Sequence, residues 1–398
     1  MSTETGSALE SAERVLRQNW LEGEQDGTHY SYTQPSPSRY PWQWYWDSCF
    51  AAIVWRRFDS GRSRAELKSL LAAQRHDGFI GHTIFWHRPV SLGRLPFYNV
   101  ASRSAMQTET IQPPLLAWAW RIAVGDPAEE PGIAAQAEWL AEHRDLEGDG
   151  LLWILQPDES GLDASPKFDP VWGRRASARP GFPCLVRRNR RLGFDARRVR
   201  DAGGPVLCET VVNTLSSLSL QALGRPSVTP ALIDRLWDES HGLFLDEVQP
   251  GGARPDAITW AALAPLALPD LPEEIGHRLV EEHLLNESEF LTPVAPPSVA
   301  ASEPSYEPGG NRGPIRRYWR GPTWVNSAWL LWLGMRRLGY EEAAARLARM
   351  LIGAVQREGL REYYDPRTGA GLGAKDFAWS TLIAELADPD PTAVASYL

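Results

Sequence analysis

The chain has 398 residues, 43% of them hydrophobic, and a formal charge of −9. That composition excludes a disordered chain, and the negative balance leaves no global attraction to nucleic acid or an anionic membrane. Cys49, Cys184 and Cys208 are odd in number and widely spaced, so neither a disulfide framework nor a zinc site is expected.

The opening stretch MSTETGSALESAERVL is polar, with no apolar signal core, and no apolar run is long enough to span a bilayer. A cytoplasmic protein is the expectation. Residues 8–20 carry the spacing of an amphipathic helix, followed by a polar, aromatic loop through Tyr32 and Tyr40 to Trp46. A second helix is expected from Asp47, which stands where an N-cap stands, through CFAAIVWRRF. The 63–74 segment reads as a helix opened by a capping box, Ser63 with Glu66 three residues on. Residues 78–86 read as loop or short strand, and the chain stays irregular to Thr108. Gln112-Pro113-Pro114 opens the helix LLAWAWRIAV, since proline suits a first turn. Another helix covers 132–143. The run 145–150 lacks a full calcium-ligand set and reads as a surface turn.

Residues 156–169, QPDESGLDASPKFD, form a shaped loop, because Gly161 and Pro166 forbid a continuous helix. The 173–200 segment is arginine-rich; most of its guanidinium groups are expected on a solvated face, with one or two turned inward toward an anionic ligand. Helices follow at 207–223, 230–237, 258–266 and 273–284, with a short strand near 242–246. Residues 291–314 are rich in Pro, Ser and Gly, and a loop of that length reads as a lid. Pro322 starts the helix through WVNSAWLLWLGMRRLG, 341–358 is the next, 359–373 a loop, and 377–386 the last helix. Helices dominate, and no repeat or composition break divides them. The expectation is one all-α domain over 1–398, a closed ring of helical hairpins with insertions at about 78–108, 164–206 and 291–321.

The chemistry lies in two acidic loops. Asp158, Glu159, Asp163 and Asp169 crowd the 156–169 loop, with only Lys167 to balance them. On spacing alone, Asp163 and Ser165 bonding backbone amides is the commoner arrangement. The functional alternative is a carboxyl group of raised pKa aimed at the leaving oxygen of a sugar acetal. Glu362, flanked by Arg361, Tyr363 and Tyr364, is either a helix-end Glu paired with Arg361 or a base that activates water. A barrel that closes on itself brings the two loops together. The 18 tryptophans fit a sugar site, since flat aromatic faces cover C–H surfaces while neighbouring polar groups take hydroxyls. Trp42, Trp44, Trp46, Trp86, Trp172, Trp319, Trp324 and Trp379 stand beside polar residues, whereas Trp118, Trp120, Trp329 and Trp332 lie in core-like helical runs.

Five stretches carry a family resemblance: Trp44-Tyr45-Trp46-Asp47-Ser48, Thr110-Ile111-Gln112-Pro113-Pro114, Glu159 to Pro166, Tyr318 to Trp324, and Glu362 to Pro366. In this order they resemble glycoside hydrolase family 63, in particular the small bacterial mannosylglycerate and glucosylglycerate hydrolases. The resemblance implies an (α/α)6 barrel and an inverting mechanism with no cofactor and no metal. It implies Asp163 as general acid and Glu362 as general base. Tyr40, Trp44, Trp46, Asp47 and Gln112 match positions that hold the sugar ring, and Tyr318, Trp319 and Trp324 match the aromatic wall near the scissile bond. In the family an Arg and a Tyr after the acid motif bind glycerate. Here 193–205 has no Tyr, and Lys375 is the other cation to weigh.

The expected activity is hydrolysis of an α-glucoside or α-mannoside of a small aglycone, with glycerate the first choice. An α-glucosidase acting on a neutral disaccharide or short oligosaccharide is the alternative. A sugar epimerase on the same barrel wants a histidine pair, and His76, His82 and His87 cluster away from both acidic motifs in sequence. The expected partner is a small-molecule glycoside; nucleic acid and membrane are not expected, and a homo-oligomer is left open.

Overall fold

The computed structural model describes residues 3–87, 90–91, 97–102, 104–174, 176, 181–309 and 318–390. Six helical segments form a closed inner ring, each packed on the next: Tyr45–Trp55, Leu116–Ala123, Thr210–Ala222, Trp260–Ala267, Val325–Arg337 and Ala378–Leu382, which returns to Tyr45–Trp55. Every residue of Tyr45–Trp55, Trp260–Ala267 and Ala378–Leu382 is buried. A helix apolar on all sides must be covered on all sides. Ser60–Ala72, Thr229–Leu236, Glu341–Glu358 and Thr3–Asn19 supply that cover, packing on the first, third, fifth and sixth members. The architecture is the all-α (α/α)6 barrel.

Several local expectations change. The second helix starts at Tyr45, with Trp44 at the N-cap, so Asp47 lies in the first turn and is not the cap. The third helix starts at Ser60, capped by the Asp59 side chain, which accepts from the Arg62 N–H. The proposed capping box is therefore absent: Ser63 sits inside the helix and donates to Ala52 O, 2.8 Å away. Glu66 points into the core, where its Oε2 accepts from Thr33 N–H and Thr33 Oγ1, each at 2.7 Å. The helix after Pro113-Pro114 has Leu115 at its N-cap, so the prolines precede its first turn. The loop expected over 359–373 is an antiparallel hairpin, Arg361–Tyr364 against Gly371–Lys375.

Among the described residues the 164–206 insertion contains three α-helices, Asp169–Trp172, Gly181–Arg191 and Ala196–Asp201. Residues 294–300 are buried, and Thr323 Oγ1 donates to Ala295 O at 2.7 Å while Trp260 N donates to Ser298 O at 3.2 Å. Residues 294–300 of the expected 291–314 lid are therefore packed into the barrel, and 310–314 lie outside the described residues. No helix among the described residues is long and apolar enough to cross a membrane.

Burial pushes the Glu66 carboxyl up to about 7 from its ordinary 4.5, against the hydrogen bonds from Thr33. The folded state thus holds this proton more tightly than the unfolded chain. The stability it contributes is complete below about pH 4.5 and is lost as pH rises through about 7. Glu66→Gln keeps an acceptor for Thr33 and removes the titration. Denaturant unfolding at pH 5 and pH 8 should show the variant gaining about 2–3 kcal/mol on the wild type over that interval. An unchanged difference between the two proteins at both pH values would contradict this account of Glu66.

Candidate active site

At the mouth of the barrel lies a cavity of about 610 Å³. Tyr40, Trp44, Trp46, Asp47, Gln112, Asp163 and Tyr318 all line it. Trp319 and Trp324 do not. Both are buried and stack on each other with ring centroids 3.9 Å apart, and the Trp324 ring lies 4.8 Å from that of Tyr318. They back the wall one layer behind Tyr318. Of the other tryptophans weighed, Trp379 lines the cavity, whereas the Trp86 indole N–H donates to Gln43 Oε1 and its ring stacks on Tyr30.

Asp163 is half-buried on its loop, and what holds that loop is ionic. Arg144, 1% exposed, grips Glu159 with both terminal nitrogens, at 2.9 and 2.6 Å, and Glu159 also accepts from the amides of Ile111 and Leu155. Beyond Asp163, Lys167 is buried between Glu209 and Asp246. Burial pulls the Lys167 pKa down, and the two carboxylates more than offset it. Glu209 and Asp246 in turn accept from the amides of Val212 and Thr210, at the start of the Thr210–Ala222 helix. The loop is therefore pinned to the barrel on both sides of Asp163. Between the pins the chain turns left-handed twice: at Gly161, φ +73°, which glycine adopts freely, and at Ala164, φ +65°, where a side chain makes it strained. A Cβ on Gly161 would stand 2.5 Å from the Trp46 indole, so glycine is required there for space as well as conformation.

Glu362 sits at a bulge in its strand, where the pairing register slips between Arg361 and Tyr363. Bulges re-aim a side chain, and this one turns Glu362 inward, to 0% exposure. Its Oε1 accepts from the Tyr40 hydroxyl at 3.0 Å and from the Tyr318 hydroxyl, and its Oε2 from the Ala374 N–H at 2.8 Å. Gly373 makes this approach possible, since a Cβ there would lie 2.5 Å from Glu362 Oε2. Glu362 does not itself line the cavity; the Tyr40 and Tyr318 side chains that do line it reach back to its carboxylate. The pairing with Arg361 weighed from sequence is absent; Arg361 instead bonds Gly373 O, 3.1 Å away.

Among the described residues three buried polar atoms on the cavity wall have no protein partner: Trp44 Nε1 and Asp47 Oδ1, together at one helix start, and Asn99 Oδ1. One donor and two acceptors suit a hydroxyl-bearing ligand. Burial, and then the Glu362 charge, push the Asp47 carboxyl well up. Gln112 Oε1 accepts from the Trp46 N–H at 2.9 Å, fixing the helix start that carries Trp44 and Asp47.

Sequence reasoning missed several wall residues, among them Arg39, Asp158, Asn99 and His82. Arg39 Nη1 lies 3.6 Å from Glu362 Oε2. Asp158 accepts from Asn99 Nδ2 at 2.6 Å, and its carboxyl is pushed well up by burial first, then by the charges of Asp163 and Glu159. Asn99 and His82 complete this corner. His82, set apart from the acidic motifs in sequence, in fact shares the cavity with Asp163; burial pushes it down to about 3, so it is neutral. The pair of Asp158 and Glu159 in the loop motif was the available signal for Asp158. None of the described arginines of 173–200 lines the cavity. Arg190 holds the carbonyls of Tyr98 and Val100, Arg188 reaches Leu155 O at 3.4 Å, and Arg197 and Arg200 bond the 145–147 turn. Arg175 and Arg179 lie outside the described residues. Lys375 is exposed and off the cavity.

Residues 40–223 and 226–380 match the family of the mannosylglycerate hydrolase MGH1-like glycoside hydrolase domain. Mannosylglycerate hydrolase of Thermus thermophilus is 30% identical over 89% of this chain and 96% of its own length. Glucosylglycerate hydrolase of Mycolicibacterium hassiacum is 26% identical over 87% of this chain and 92% of its own. The crystal structure of the family 63 mannosylglycerate hydrolase from Thermus thermophilus in complex with Tris and D-glycerate superposes with a TM-score of 0.78. It is 27% identical and covers 95% of this chain and 99% of that one.

Gly161→Ala should test the fit between the acid loop and Trp46. An alanine at that φ costs about 1–2 kcal/mol and displaces the indole. We expect turnover to fall by about 10²-fold, the penalty for misplacing a reacting group by about 1 Å. Full turnover with an unchanged melting temperature would show that the contact is not needed.

Proposed function

The chain belongs to the mannosylglycerate hydrolase-like glycoside hydrolases of family 63, and on that footing we propose that it cleaves an α-glucoside or α-mannoside of a small aglycone with inversion at the anomeric carbon. The observation that supports this reading is an aromatic cavity with Asp163 on its wall and Glu362 buried behind that wall, bonded by the lining hydroxyls of Tyr40 and Tyr318. Asp163 is the general acid: it protonates the glycosidic oxygen as the C–O bond breaks. Glu362 is the general base: it takes a proton from the water that attacks the anomeric carbon from the opposite face. Inversion requires the two carboxyl groups about 6.5–9.5 Å apart, with water between sugar and base.

The remaining residues take roles their surroundings support. Trp44 Nε1, Asp47 and Gln112 hold hydroxyls of the sugar ring, and Tyr40 and Tyr318 fix the base. Burial, and then the Glu362 charge, push the Tyr318 hydroxyl well up, so it stays a donor toward the base. Trp319 and Trp324 keep the Tyr318 wall dry and rigid from behind. Glycerate is the leading aglycone, because the full-length relatives of similar sequence are named for glycosylglycerates. A neutral disaccharide is the second reading, favoured by one observation: the described arginines after the acid motif stay off the cavity.

Release of sugar from glucosylglycerate, mannosylglycerate, trehalose, kojibiose, nigerose and maltose separates these readings. Asp163→Ala should lower hydrolysis of the preferred glycoside by about 10²–10⁴-fold. It should act far better on the matching α-glycosyl fluoride, whose leaving group needs no proton. Glu362→Ala should fail on both. Equal loss on glycoside and fluoride in Asp163→Ala would remove Asp163 from the acid role.

A further inference from the structure

Glu362 has four acceptor directions to fill, two on each oxygen. Tyr40 and Tyr318 take Oε1, and the Ala374 amide takes one side of Oε2. One direction remains on Oε2, and Arg39 stands beside it. At 3.6 Å its Nη1 is at ion-pair range but beyond a direct hydrogen bond. The guanidinium is held there by packing over the Tyr40 ring, 5.4 Å from its centroid, while the side chain stays 45% exposed at the cavity mouth. Among the described residues Arg39 is the cation within 4 Å of Glu362, and Asp47, across the cavity wall, is the acidic neighbour it opposes. Tyr40 and Tyr318 face Glu362 as neutral donors.

We propose that Arg39 is a positioning residue for hydrolysis: its charge faces the Glu362 carboxylate through space and leaves the fourth acceptor direction free for the attacking water. The inference rests on Glu362 being the base. A tighter, direct pair would block the water, and no cation at all would leave a buried carboxylate next to Asp47 with hydrogen bonds alone to hold its charge. Because the Arg39 side chain is 45% exposed, its effect is screened by salt.

The pH dependence of kcat/KM for an α-glycosyl fluoride isolates this effect, since that substrate needs no acid and its acidic limb reports the base. In Arg39→Gln the limb should move up by about one pH unit, the Coulombic effect of one partly solvated charge at this distance. Arg39→Lys should restore most of that shift. In the unaltered enzyme, raising ionic strength should move the limb the same way, a readout that needs no variant to fold. An unmoved limb in Arg39→Gln, an equal shift in Arg39→Lys, or a salt-independent limb in the unaltered enzyme would overturn the proposal. Glu362→Ala on the same fluoride is the control: if it retains activity, the base assignment itself fails, whereas an inactive Glu362→Ala with an unshifted Arg39→Gln rejects only the part given to Arg39.

Discussion

Closure of the inner ring puts a hydroxyl on a carboxylate 322 residues away in sequence: Tyr40 donates to Glu362. The contact exists because Ala378–Leu382, the last inner segment, packs back on Tyr45–Trp55, the first. The hairpin carrying Glu362 and the loop carrying Tyr40 flank that seam. Seating of the Trp379 ring beside Trp46, with centroids 5.7 Å apart, and its N–H bond to Glu362 O tie the seam to the cavity wall. A buried carboxylate is costly unless it is paired and hydrogen-bonded. Glu362 therefore holds the seam and is held by it.

The other half of the site is fastened by a different device. The loop bearing Asp163 has no regular ladder of its own, only short 3-10 turns at Pro157–Ser160 and Pro166–Phe168. Its position is set by fully buried ion pairs, Arg144 with Glu159 and Lys167 with Glu209 and Asp246. Such pairs add little net stability over an apolar core, yet losing one partner strands a buried charge. That makes them suited to fixing a strained loop in one place. Arg320, buried and paired with Asp169, ties the same loop to the Tyr318 wall. The Asp163 loop and the Glu362 hairpin are thus held by different devices, with the Arg320–Asp169 pair joining the loop to the Tyr318 wall.

Much of this was legible in the residues. The order of helices, the aromatic excess and the five motifs pointed to the barrel and to a sugar-sized aromatic cavity. What was not legible has physical causes. Ser63 and Glu66 have capping-box spacing, but Asp59 lies one turn earlier and caps better, which frees Glu66 for the core. A bulge at Glu362 leaves no trace in a four-residue strand, so the hairpin read as a loop. A motif gives chain position and not depth, which is why Trp319 and Trp324 fell one layer behind the wall. Arg39, Asn99 and His82 belong to segments with no sequence signal of their own; only the folded backbone brings them to the cavity. Most of the arginine-rich segment was expected on a solvated face, and what its residue types do not reveal is that Arg188, Arg190 and Arg197 hold backbone carbonyls of neighbouring segments.

The central claim is that water, activated by Glu362, attacks opposite a leaving group protonated by Asp163. Proton NMR on the first turnover of an α-linked substrate tests it most directly. The account predicts that the β-anomer of the sugar appears first and only then equilibrates toward the α form. An α-anomer appearing first would mean retention, with a carboxylate bonded to the sugar in place of the water, and would contradict the account at its core.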